Sequence, residues 1–521
     1  MSLPLKWSRL ILDMKEKKSY IENIENEVQE YIGGKGLNLY YLNHVSMDED
    51  IAVISTGPLV GTGFPCASFS YISKYDKKLG YPVTSCFGGG FGLSMKMAGF
   101  VQIVLKGKSK GLLYVFIDNE KVSFHEASVL KDKNALLTDT YIREEFDDRD
   151  IETISIGNPP VDFLDHAILF SSGNWPINRF GFGKDFIEKG LKAIGIRGDK
   201  GFNIEAKDKF LGYISHLFRK ISEDNIVKTI KNKGSLAFLD KKNVYEFSSN
   251  IPEEISGKTY LKSFEAGREA CPSCPIGCGK FTNINGAVSS SGPLFEEVLF
   301  LAAHMKEKKL DTILMEAIRM RRECIDPFIL FTEYRDEIAK IHNIEIEETY
   351  NTFKVKGMPL SFDPRRLIDL SLYCAFTIQD YDYFQLCIGM DAPQEDAFNK
   401  ENRATSLKKI LIIKTLSDML GICPLPISRV PVITVEDLKE GFKILFGDEV
   451  ALEVKAKGLV DMERKMGHFS KMDDMLDNTL YEVPTEYGDM AGKYLDRSMW
   501  EDTLNRFYEM MEWDSQGRPQ R

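Results

Sequence analysis

Four cysteines are spaced for metal chemistry. Cys271, Cys274 and Cys278 stand in the run Cys-Pro-Ser-Cys-Pro-Ile-Gly-Cys, and Cys423 follows far downstream in Asp418-Met-Leu-Gly421-Ile-Cys423. A [4Fe–4S] cube needs one thiolate per iron, so three close sulfurs and a distant fourth answer its demand. Pro272, Pro275 and Gly277 are turn formers that let the loop wrap tightly. The same thiolates could hold zinc tetrahedrally, or be ordinary buried thiols. The spacing favours iron–sulfur and leaves both alternatives open. The mirrored order, with three residues between the first two cysteines, is absent, and radical chemistry of that type is set aside.

The elements that must position these residues change character along the chain. Val101–Gly107 alternates as a strand, and Gly111–Phe124 reads as a hairpin turning at Asp118-Asn119. Ile151–Ile156 and Ala193–Arg197 are further strand candidates. Glycine-rich corners interrupt them at Gly33-Gly34-Lys35-Gly36, Gly57-Pro58, Gly88-Gly89-Gly90-Phe91-Gly92 and Phe180-Gly181-Phe182-Gly183. After about residue 203 the apolar spacing becomes helical, over Phe210–Ile230, Phe295–Met320 and Leu407–Leu420. Thr434 reads as an N-cap before Leu438, Phe442 and Leu445. The expected fold class is α+β: a β-rich N-terminal domain (1–203), then two mainly helical domains. The first of these (204–350) carries the CxxCxxxC motif, and the second (351–521) carries the DxxGxC loop.

At 521 residues the chain suggests several domains, and 43% hydrophobic residues can fill their cores. A net charge of −11, from 67 basic and 78 acidic residues, argues against nucleic acid as the main partner. The start, Met1-Ser-Leu-Pro-Leu-Lys-Trp, has no apolar h-region, and no apolar run reaches membrane-spanning length. A cytoplasmic protein is the expectation, and nine cysteines there fit metal ligation plus buried thiols better than disulfides.

A series of motifs in order resembles the tungsten aldehyde:ferredoxin oxidoreductases. They are Tyr31–Leu37, Thr56–Thr62, Gly88–Gly92, Lys96–Phe100, Asn178–Gly183, Gly190–Ile194, the cysteine cluster, Asp363-Pro-Arg365, Asp418-x-x-Gly421-x-Cys423 and Tyr508–Gly517. The resemblance implies a tungsten or molybdenum ion held by two pterins, with no protein ligand. It also implies a [4Fe–4S] cluster on Cys271, Cys274, Cys278 and Cys423 that exchanges electrons with ferredoxin or an iron–sulfur partner subunit, and self-association is common in the family. Gly88, Gly89, Gly92 and Arg179 would meet pterin phosphates, with Mg²⁺ between them, because glycine corners expose backbone N–H groups. Asp326, Asp418 and Gly421 would contact the pterins, with Asp418 accepting hydrogen bonds from a pterin ring.

Several family positions differ. The arginine beside pterin and cluster falls at Ser68, and the asparagine of the magnesium site falls near Cys86. The first acidic loop is reduced to Arg321-Arg-Glu-Cys-Ile-Asp326, and the active-site histidine falls at Tyr383. Tyr383 and Asp382 could replace that histidine, since a phenol can donate to an oxo group or carbonyl. Glu296, Glu297 and Glu316 are further acid–base candidates, whereas His304 reads as a helix histidine. Cys66, Cys86, Cys324, Cys374 and Cys387 read as small buried hydrophobes. The functional expectation is an oxidoreductase acting on an aldehyde or oxo-type substrate. The alternatives are a non-catalytic electron-transfer or scaffold subunit with a degenerate pterin site, and a zinc-stapled structural protein.

Overall fold

The computed structural model describes residues 7–202, 204–240, 251–328, 335–346, 354–356, 358–359, 403–447, 450–484, 492 and 494–520. Its first two hundred residues build two six-stranded sheets. The first contains β1 (Ser8–Asp13), β2 (Lys18–Asn23), β3 (Ala52–Thr56), β4 (Ser70–Asp76), β5 (Tyr81–Phe87) and β6 (Gln102–Lys106), in the order β2-β1-β6-β3-β4-β5. The second contains β7 (Leu113–Asp118), β8 (Lys121–Glu126), β9 (Glu152–Ser155), β10 (Leu169–Ser171), β11 (Trp175–Ile177) and β12 (Leu191–Arg197), in the order β11-β10-β9-β12-β7-β8. Each sheet has a single parallel pair, β1 with β6 and β7 with β12. Covered strands such as β3, Ala-Val-Ile-Ser-Thr, are buried throughout, while edge strand β2 is exposed throughout. The expected hairpin is present as β7–β8, with Asn119 in the left-handed region at its turn.

The expected helical stretches form, with breaks. Phe210–Ile230 is covered by helices Lys207–Glu223 and Asn225–Lys233, because Asp224 ends the first and its carboxylate accepts from the Ile226 and Val227 N–H groups of the second. Phe295–Met320 divides into helices Phe295–His304 and Leu310–Arg322. Helix Val435–Phe446 starts at Thr434 in a capping box with Asp437.

Two elements depart from the expectation. The Gly33–Gly36 string is no strand corner but the first turn of helix Gly34–Asn43. A Cβ on Gly34 would come within 1.9 Å of Asp418 O, and one on Gly57 within 2.0 Å of Leu420 C. These glycines let the end of helix Arg403–Leu420 dock against the N-terminal sheet (Tyr71 Oη donates to Ser417 O at 3.2 Å). The cysteine triplet is the loop its turn formers predict, but it joins strands within a region expected to be mainly helical. It forms the loop between β13 (Glu265–Glu269) and β14 (Gly279–Ile284), which with β15 (Val288–Ser291) make an antiparallel three-stranded sheet.

The Tyr508–Gly517 motif closes a buried polar knot. Asp474, with a side chain 0% exposed, pairs with Lys356 at 2.9 Å and with Arg464, and accepts from Tyr508 Oη at 2.6 Å. Arg464 Nε donates to Gly517 O, and its guanidinium lies 4.5 Å from the Trp513 ring centre.

Candidate functional site

Cys271, Cys274, Cys278 and Cys423 line one cavity, together with Ser68, Phe69, Cys86, Gly88, Trp175, Asn178, Arg179, Phe238 and Glu296 among others. Sequence segments that lie far apart are tied there through their backbones. Cys66 N–H donates to Ser273 O at 2.9 Å, inside the cysteine loop, and Cys423 N–H donates to Cys66 O at 2.9 Å. Phe69 N–H donates to Gly421 O at 3.0 Å, and Ala67 bridges Ile422. Gly421, at φ +82°, turns the chain between the helix Arg403–Leu420 and Cys423. Gly89 N–H donates to Cys271 Sγ at 3.3 Å, and a Cβ on Gly88 would stand 2.8 Å from that sulfur. A Cβ on Gly92 would strike Ser70 Oγ at 2.3 Å. The glycine run therefore permits close approach of the cysteine loop and of β4.

The sulfurs also feel one another. Withdrawal from water, then the charges of Cys274 and Cys271, push the Cys278 thiol well up; withdrawal, then Cys278 and Cys274, do the same to Cys423. Cys271 is raised by withdrawal and by Cys274, against the Gly89 N–H. Cys274 moves the other way: the Cys66 thiol 4.0 Å away holds its thiolate down, helped by the Gly277 and Ile276 N–H groups. Three of the four thiols are thus held toward their neutral form, because charging one disfavours charging the next, and Cys274 is the member whose thiolate is favoured. A positively charged ligand that takes several sulfurs would reverse that balance by displacing their protons. Among the described residues, no three His, Cys, Asp or Glu side chains surround a single ion position.

The remaining sequence candidates fall in different places. Arg179 and Asp326, predicted separately, pair with each other at 2.5 Å, both almost fully buried, and the guanidinium lies 4.7 Å from the Phe328 ring centre. Asp418 accepts from Lys414 Nζ at 2.6 Å, one helical turn back, and both are buried. Glu297 pairs with Arg321 at 2.7 Å, whereas Glu296 lines the cavity and its charge adds to the rise at Cys278. Glu316 is outside the cavity lining, paired with His342. Burial pushes His342 down, but the Glu316 and Glu323 carboxylates outweigh it and raise the imidazole to about 9. Burial, then Lys308 and Arg335, drive His304 down to about 3, so it stays neutral. Cys324 is buried against the Gly157 N–H. Asp382, Tyr383, Cys374, Cys387 and Asp363-Pro-Arg365 lie outside the described residues.

Three residues at or beside this site escaped the sequence reading. Cys66, read as a small hydrophobe, is buried as expected but sits against a cluster cysteine 208 positions away. Asn178 lines the cavity with its Oδ1 buried and unpartnered. Lys414 neutralises Asp418; its spacing of four residues on one helix was the available signal.

A family model described as "Aldehyde ferredoxin oxidoreductase, N-terminal domain" matches residues 9–198, and one described as "Aldehyde ferredoxin oxidoreductase, domains 2 & 3" matches 215–328 and 338–521. The tungsten-containing aldehyde ferredoxin oxidoreductase of Pyrococcus horikoshii is 27% identical over 308 residues, 56% of this chain and 51% of that protein. Its Pyrococcus furiosus counterpart is 26% identical over 328 residues, 59% of this chain and 54% of that protein. The matches thus span about half the length of these curated relatives. The WOR-like subunit of an aliphatic sulfonate oxidoreductase from P. furiosus is 32% identical over 124 residues, 22% of this chain and 20% of that protein. Among solved structures, the active-site complex BamBC of benzoyl coenzyme A reductase, with 1,5-dienoyl-CoA, superposes with a TM-score of 0.78 at 17% identity, covering 100% of this chain and 96% of that one. That likeness is one of fold. Among the described residues no helix is long and apolar enough to cross a membrane.

Proposed function

This chain belongs to the aldehyde ferredoxin oxidoreductase family, and from that premise we propose that it is an iron–sulfur oxidoreductase with a bis-pterin tungsten or molybdenum centre. The observation that carries the reading is the convergence on one cavity of four cysteines from segments some 145 positions apart, tied through Cys66. When bound, the pterin-held metal supplies two-electron chemistry at the substrate, and the cube supplies single-electron transfer.

Cys271, Cys274, Cys278 and Cys423 fit a [4Fe–4S] cluster: they line one cavity, and a backbone N–H group meets each of the four sulfurs. Asn178, with its orphaned buried carbonyl oxygen, is a group in the cavity wall that would accept from a donor such as a pterin N–H. Arg179, held by Asp326, and Asp418, paired with Lys414, would orient that cofactor, and Gly421 would bring its loop close. Gly88 and Gly89 serve the cluster side through Cys271, with Gly92 seating the next turn against β4. Glu296, on the cavity wall, is the described carboxyl placed to hold or release a proton; Tyr383 and Asp382 complete the proposed acid–base set.

The substrate proposed is an oxo-type or activated carbonyl compound, not a simple aldehyde. Ser68 stands where the resemblance expects an arginine, and the relatives named above act on substrates as different as sulfonates and a CoA thioester. The electron partner proposed is ferredoxin or an iron–sulfur subunit, by analogy with relatives that work as subunits. A second reading, an electron-relay or scaffold subunit with an empty pterin site, is favoured by one observation: Arg179 and Asp418 already have ionic partners within the protein.

Elemental analysis of protein purified without oxygen from a tungsten-competent host tests both. About four irons with one tungsten or molybdenum supports the enzyme. Four irons alone, despite a supply of mature cofactor, sinks the catalytic reading in favour of the second. Zinc in place of iron overturns both.

A further inference from the structure

Cys66 belongs to none of the spaced motifs, yet the two halves of the cysteine set meet through it. Its N–H binds the 271–278 loop at Ser273, and its carbonyl receives the Cys423 N–H, each at 2.9 Å. Its side chain is 0% exposed, and its sulfur lies 4.0 Å from Cys274 Sγ. The backbone sits at φ +62°, a region that residues bearing a Cβ seldom adopt. A simple space-filler needs neither that backbone nor that contact. An aliphatic side chain would fill the volume, and glycine would relieve the strain.

The direction of the contact follows from the ligand role of its partner. Cys274 loses its proton when it binds iron, and a thiolate sulfur can only accept. Cys66, with no role as the fourth or any other required ligand of the cube, keeps its proton and donates. Hydrogen bonds to ligand sulfurs are among the determinants of cluster potential. They stabilise negative charge on the sulfur, and the reduced cluster carries one more negative charge than the oxidised one.

We propose that Cys66 is a positioning residue of the cluster whose S–H donates to the Cys274 sulfur and raises the potential of the cluster's one-electron couple. The inference rests on the iron–sulfur reading above. The electron enters the cluster from an external donor, and the S–H bond stays intact throughout.

Wild type, Cys66→Ser and Cys66→Ala would be reconstituted anaerobically, assayed for iron and sulfide, and titrated with dithionite while the reduced cluster is followed by electron paramagnetic resonance. All three should hold about four irons. The midpoint potential should fall in Cys66→Ala and lie between wild type and Cys66→Ala in Cys66→Ser, whose hydroxyl still donates but reaches less far. Pulsed ENDOR of the reduced wild type should show an exchangeable proton coupling that disappears in D₂O. A fully loaded Cys66→Ala protein with an unchanged midpoint overturns the proposal. So does a Cys66→Ala protein that loses iron while Cys274→Ala keeps a four-iron cluster, because Cys66 would then be the ligand. If Cys66→Ala does not fold, Cys66→Ser decides, because backbone N–H groups also give exchangeable couplings: a fully loaded Cys66→Ser protein with the wild-type midpoint and an unchanged set of exchangeable couplings overturns the hydrogen bond. A wild type that binds no iron at all removes the iron–sulfur reading itself, and the iron assay separates that failure from failure of the hydrogen bond.

Discussion

The molecule contains two buried polar clusters of opposite construction. Around Asp474 a single carboxylate is met by Lys356, Arg464 and the Tyr508 hydroxyl, all donated by the protein. Burial alone would raise the Asp474 carboxyl, yet its two cations hold it below the usual range. Around Cys274 five sulfurs of like character gather, and the groups that meet them are a few backbone N–H groups and one another. The first cluster meets its buried carboxylate with two cations and a hydroxyl of the protein's own, and needs nothing further to hold that charge. The second gathers sulfurs that burial and one another hold mostly as neutral thiols, with no cation among the described residues beside them to favour their charged form. A buried polar group is therefore informative through what still opposes it rather than through its burial.

The sharpest way to break this contrast is to remove one sulfur. Cys423→Ser is expected to lose nearly all cluster iron, whereas the Asp474 knot should keep its amide protection in the same protein; iron assay and hydrogen exchange read the two halves. Should Cys423→Ser retain a full complement of iron, the ligand assignment fails. Next in size, Asp474→Asn leaves Lys356 and Arg464 buried without a counter-charge. It should cost about 3–5 kcal/mol, seen as faster exchange in the helix Leu452–Met466, with iron content unchanged.

His342 offers a middle-sized test that lies in neither cluster. Its folded value of about 9 exceeds the ordinary imidazole value. The stabilisation from Glu316 and Glu323 is therefore fully present below about pH 6.5 and lost as pH rises through about 9, on the order of 3 kcal/mol. The gap in melting temperature between wild type and His342→Gln should be wide near pH 6 and narrow near pH 10; an equal gap at both would refute the pairing. The smallest effect is expected for Lys356→Met. Arg464 still meets Asp474, and replacing a buried cation by an apolar chain of similar length should change stability by about 1 kcal/mol or less in either direction. A loss as large as that of Asp474→Asn would mean that the knot needs both cations.

Local signals were well written in the chain. Alternation from Leu113 to Phe124 announced the β7–β8 hairpin, and Thr434 with Asp437 announced its helix start, because both depend on neighbours a few residues away. The polar strand Glu265-Ala-Gly-Arg-Glu carried no such pattern, since its face is not a core face, and β13 went unforeseen. Gly34 and Gly57 were visible as glycines, but the reason for them is a helix end that arrives from beyond residue 400. Cys271, Cys274 and Cys278 were legible as a group because spacing within a loop is local, and Cys423 was joined to them as a distant fourth; that all four line one cavity comes from three dimensions. Cys66 was not, since its meaning lies in a contact with Cys274 across 208 positions. Arg179 and Asp326 were each singled out for a cofactor; that they bind one another could be learned only from three dimensions.

The tie between Cys66, Ser273 and Cys423 has a consequence for how the protein is made. On the proposed ligand assignment, the last sulfur emerges from the ribosome roughly 145 residues after the third, so the ring closed by the cluster is long and its closure entropy correspondingly large. A nascent chain halted before Cys423 could offer a cube only three corners. Full thiolate ligation of the inorganic core would thus await a polypeptide translated past that cysteine and docked through its glycine-lined helix end.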